Sequence, residues 1–182
     1  MISRPGIVLA ITGLRISIER LQEAGRAISH DKSKENEASL IRSGCETLFW
    51  LFALNEDFKK LVEEKTSLTI HDWWNQKGDI GKQMNGLRLV RNRITHSFEY
   101  YWSLWDLDSL VWLPISLITK EELERFNKNH IESQFYDYQD FVLGKEVTKP
   151  LISVLECMED FALNLTCLIT KKTPTLLSCD SK

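Results

Sequence analysis

The sequence predicts an all-α fold, an up-and-down bundle of four to five helices with an irregular, tryptophan-rich connection. Three observations carry that expectation. Long stretches repeat apolar residues at steps of three and four, the spacing that lines one side of a helix. No two neighbouring stretches alternate apolar and polar residues as paired strands do. The chain has 182 residues, of which 43% are hydrophobic and 27% charged, which suits one globular unit with a sizeable core. The expected domain covers residues 1–170, and residues 171–182, which lack periodicity, form a flexible tail.

The first helix is expected over about residues 4–29. Ser3 can cap it, Pro5 suits its first turn, and Ile7, Ile11, Leu14, Ile18, Leu21, Gly25 and Ile28 form one stripe. A polar connector, Asp31 to Glu37, leads to a second helix marked by Ala38, Ile41, Cys45, Leu48 and Phe52. A short join between long helices makes them antiparallel neighbours. Phe58 to Lys65 reads as a further short helix or as a continuation of the second, and Thr66 to Gly78, with Trp73 and Trp74, as a short helix plus turn.

A third long helix starts near Asp79, with Ile80, Met84, Leu87, Val90, Ile94 and Phe98 on its buried face. Tyr100 to Thr119 has no clean period and reads as an irregular connection with a short extended piece. Lys120 to Gly144 is expected to be helical in part. From Val147, the residues Leu151, Val154, Leu155, Met158, Phe161, Ala162, Leu165 and Ile169 define the last helix.

The net charge of −3 and a pI near 5.9 argue against a protein that coats nucleic acid non-specifically, yet leave room for a local phosphate site. Four cysteines without a CxxC pair point to a reduced, cytoplasmic protein. Scattered histidines give no metal-ligand spacing, so neither a metal nor a cofactor is expected. The apolar run Ile7 to Ile11 is too short for a signal peptide or a membrane span.

The best functional lead lies on the third long helix. At about 100° per residue, Arg88, Asn92, His96 and Glu99 cluster away from the apolar face. Arg91 sits at its border, where the stem can be buried while the head swings toward His96. Arginine matches two phosphate oxygens at once, and histidine moves protons near neutral pH. Between Lys77 and His96 the bases Lys77, Lys82, Arg88, Arg91 and Arg93 face one acid, Asp79. Lys82, Arg88 and Arg93 are therefore the expected substrate-binding residues. The plain alternative for such a helix is a solvated arginine and a hydrogen-bonded histidine. Glu46, on the second helix, is a candidate partner for Arg88 or Arg91, with a surface or structural salt bridge at least as good a reading. Trp102, Trp105 and Trp112 could stack bases, although packing is the commoner role of such residues.

The stretch Leu87-Arg88-Leu89-Val90-Arg91-Asn92-Arg93-Ile94-Thr95-His96 resembles the signature of the HEPN superfamily, in which Arg is followed by a polar residue, often Asn, and then by His after four to six positions. That resemblance implies a small helical bundle, dimeric, whose motifs meet in one composite cleft. It implies a metal-independent endoribonuclease of a toxin–antitoxin or phage-defence setting, with an RNA substrate and an antitoxin or regulatory protein as partner. By it, Arg91 contacts the scissile phosphate, His96 transfers protons and Asn92 orients them. A non-catalytic module of the same kind, binding a nucleotide, nucleic acid or protein, is the competing expectation. A purely structural dimerisation domain is a weaker third. Related toxins often carry a Tyr two places after the His, which is modified to silence them. This chain has Phe98 there, so that route of silencing lacks its hydroxyl.

Overall fold

The computed structural model describes residues 5–97, 102–105, 109–113 and 128–170, with side chains over 6–94, 110–113 and 131–163. Among these residues there are six helices and one short hairpin rather than four or five helices alone: α1 (Pro5–His30), α2 (Lys34–Thr66), α3 (Ile70–Asn75), α4 (Asp79–Ser97), β1 (Trp102–Trp105), β2 (Ser109–Trp112), α5 (Lys128–Phe141) and α6 (Thr148–Thr170). The molecule is mostly helical, as the apolar periodicity requires.

The α1–α2 join is tight. Ser33 caps α2 by accepting from the Asn36 amide, and Asn36 donates back to the Asp31 carbonyl, so the connector closes within three residues. Phe58 to Lys65 continues α2, which runs to Thr66 and stops where Ser67 turns left-handed at φ 60°. The two helices lie antiparallel and close. A Cβ at Gly13 would meet the Trp50 ring, and Thr47 donates to the Ser17 and Ser43 carbonyls, which satisfies a buried hydroxyl in the seam.

Helix α3 is capped by Thr69 and buries both of its tryptophans. Trp74 donates through Nε1 to Asn55 Oδ1 of α2 at 3.0 Å, and Trp73 meets Phe58 and Phe161 edge-on. Helix α4 then packs most extensively on α5 and more sparsely on α2. Helix α6 closes the unit. Arg15 of α1 binds Glu159 with two nitrogens, and the paired carboxylate raises the arginine's already high pKa. One continuous core joins Leu14, Leu51, Phe58, Met84, Leu87, Tyr138, Val154 and Met158.

The tryptophan-rich connection is not wholly irregular. Trp102 pairs with Trp112 and Trp105 with Ser109 in an antiparallel hairpin. Its second strand is stitched to the α5–α6 turn: the Trp112 amide donates to the Lys145 carbonyl, Gly144 donates to Trp112, and the Trp112 indole donates to Val147. Trp112 is therefore a buried structural residue, whereas the side chains of Trp102 and Trp105, like the tail 171–182, lie outside the described residues. No described helix is long and apolar enough to cross a membrane.

Candidate functional site

Helix α4 carries the six expected site residues, Lys82, Arg88, Arg91, Asn92, Arg93 and His96, and the structure distributes those with described side chains over two sides of it. Arg91 is exposed on the side that faces α2. Its guanidinium carbon stands 5.4 Å from the centroid of the Phe52 ring, and Nη1 donates to Asn92 Oδ1 at 3.2 Å. Stacking on one face and an amide at one edge hold the head against α2 and Asn92. The backbone of His96 lies five residues further along the same helix, about 7.5 Å up its axis. The His96 side chain lies outside the described residues, as does Phe98.

The proposed substrate-binding residues divide. Arg88 is half-buried, and burial lowers its pKa while the nearby Glu56 carboxylate works in the opposite direction. Arg93 sits about 200° round the helix from Arg91 and is only 4% exposed. It belongs to the stripe Lys82, Gly86, Leu89, Arg93, which faces α5. Lys82, at the far end of that stripe, lies 4.6 Å from the centre of the Phe141 ring. The basic run of the sequence is thus no single patch, because neighbouring positions on a helix point in different directions. Arg91 and Arg88 share the α2 side; Arg93 and Lys82 do not.

Beside Arg91 opens a groove of about 390 Å³ between α2 and the second half of α4. Leu48, Phe49, Phe52 and Ala53 line its floor and α2 wall, Ile94 and Arg91 its α4 wall, and Cys45 and Glu56 its ends. Phe49 is 65% exposed, an unusual position for a phenylalanine, and makes an edge contact with Trp50. Burial in this wall raises the Cys45 thiol pKa. Sequence reasoning missed both Phe49 and Glu56. Of the two readings of Glu46, a partner for Arg88 or Arg91 or a structural salt bridge elsewhere, the second holds: Glu46 accepts from Arg20 of α1 at 3.0 Å. The available signal was the step from Phe49 to Phe52 to Glu56, three residues on one side of α2 beside the core stripe.

Among the described residues, no group of three or more His, Cys, Asp or Glu side chains is placed to hold a metal ion. Cys45 and Cys157 are free thiols. No family model, curated protein or solved structure matches the chain.

Proposed function

We propose that the chain is a metal-independent endoribonuclease of HEPN type whose site is built on the second half of α4 and completed by a second copy. The observation that carries this reading is the exposed guanidinium of Arg91, held between the Phe52 ring and the Asn92 amide in the wall of an open groove. An arginine held in this way offers phosphate a preset pair of donors. His96 supplies the proton transfer. In the reaction the 2′-hydroxyl loses its proton as its oxygen attacks phosphorus. The bond from phosphorus to the 5′-oxygen breaks, and that oxygen takes up a proton. The products are a 2′,3′-cyclic phosphate and a 5′-hydroxyl. A single imidazole cannot be base and acid at the same instant, and the two-fold pairing of α4 helices would bring a second one to the same phosphate.

The competing reading, a non-catalytic module that binds nucleotide, nucleic acid or protein, is favoured by one specific observation. Lys82 and Arg93 turn toward α5, which leaves few cations beside the groove. Incubating the protein with total RNA in EDTA and identifying the ends separates the two. The expected result is cleavage with cyclic-phosphate ends, lost by about 10²-fold or more in Arg91→Ala and His96→Ala. Binding without cleavage by the folded dimer selects the module instead.

A further inference from the structure

The groove beside Arg91 is more than an entrance to a phosphate site, because its chemistry matches a particular ligand. We infer that it is a base-binding subsite that seats a guanine of single-stranded RNA next to the phosphate held by Arg91; this rests on the RNA-directed reading above. Three features point there. The exposed Phe49 ring presents a flat apolar face at the groove wall, where every base can stack but few other polar ligands gain from it. Glu56, two turns along the same helix, places an acceptor-only carboxylate at the groove end, about 10 Å from Phe49 along the axis. That separation suits a stacked base whose outer edge meets a glutamate side chain. Guanine alone among the four bases offers two adjacent donors on that edge, N1–H and N2–H, which a carboxylate accepts together. Glu56 also lies near the Arg88 side chain, which places a second cation beside that end of the groove.

The groove brings together what a nucleotide requires: a cation for phosphate, an apolar wall for the ring and an anion at one end for the amino edge. A volume of about 390 Å³ falls within the range of small-molecule sites, roughly 300–1,000 Å³, and is too small for a packed helix.

The test uses full-length His96→Ala protein, which binds without turnover. Equilibrium binding is measured to four single-stranded hexaribonucleotides that differ only in one central base. The G-containing oligomer is expected to bind about tenfold more tightly than the U-containing one. Phe49→Ala should weaken binding to all four by about tenfold. Glu56→Gln should remove the preference for G while leaving the U oligomer unchanged. Equal binding of all four by the starting protein, or a preference for G that survives in Glu56→Gln, overturns the subsite. Guanosine monophosphate binding as tightly as the G oligomer overturns RNA as the source of the base. Because Phe49 and Glu56 are exposed, neither change threatens the fold. Cleavage is read separately: its absence alongside a G preference that depends on Phe49 and Glu56 removes the nuclease and keeps the subsite, and the converse removes the subsite alone.

Discussion

The two sides of α4 are built in opposite ways. Toward α5 the helices touch backbone to backbone: a Cβ at Gly86 would stand 2.8 Å from the Tyr138 Cα. Asn85 reinforces the contact by donating to Asp137 and Ser133. Toward α2 the packing is sparse, and a groove lined by Arg91, Phe49 and Glu56 opens there. One side of a single helix therefore anchors it and the other borders an open groove. The contrast teaches that a helix can carry a buried arginine and an exposed one within three residues, provided they fall on opposite faces.

The largest test of the contrast is Gly86→Val. The clash is with backbone atoms that cannot swing away, so folding should lose about 3 kcal/mol, read from the urea midpoint. A midpoint within error of the original would mean that α4 and α5 are not so closely packed. Next comes Asn85→Ala, which removes the 2.6 Å bond to Asp137 at an expected cost of about 1 kcal/mol. Ala53→Leu sharpens the other side. It fills part of the groove, so stability should change by less than about 0.5 kcal/mol while RNA binding weakens. A large stability loss there would show that the groove wall is tightly packed after all.

The smallest effect concerns the Cys45 thiol. Burial raises its pKa, so the proton stays on through the ordinary thiol range, and the thiolate forms only at higher pH. Alkylation of Cys45 at pH 8 should be slower than that of a free thiol and should accelerate further as pH rises. For stability the same shift acts in one direction: the folded form holds its proton more tightly, so stability falls as pH rises above the unfolded thiol's pKa.

Much of this architecture is legible in the residues themselves. The stripe Ile7, Leu14, Ile18, Leu21 is buried as its spacing requires, but on α2 the stripe read from spacing is shifted. There Leu48 is buried, Ile41, Cys45 and Phe52 are half-buried and Ala38 is exposed, while the core face runs through Leu40, Leu51, Leu54 and Phe58. A short extended piece in the connection was legible, but the pairing of the hairpin was not. Its strands are four residues each, and the turn that stabilises β2 lies more than thirty positions away at Lys145 and Val147. No local pattern encodes a partner that remote. The same limit hid the groove. Which acid of α2 faces α4 depends on the α1–α2 register, and that register gives Glu46 to Arg20 and leaves Glu56 for the groove. Positions on α4 could be assigned to faces by counting, yet only the α5 contact shows that Lys82 and Arg93 lie on the anchored one.

The stitching of β2 to the α5–α6 turn sets the order in which the chain can assemble. Helices α1 and α2 meet across a three-residue join, so their seam forms from neighbours in sequence. For α4 to meet α5 the chain must first close a loop of about thirty residues, which costs roughly 2 kcal/mol more chain entropy than the short join. Trp112 can be clasped only once α5 and the turn after it are in place. The α1–α2 pair is thus the natural nucleus, and the helix that bears Arg91 is fixed late, when the last third of the chain arrives to hold it.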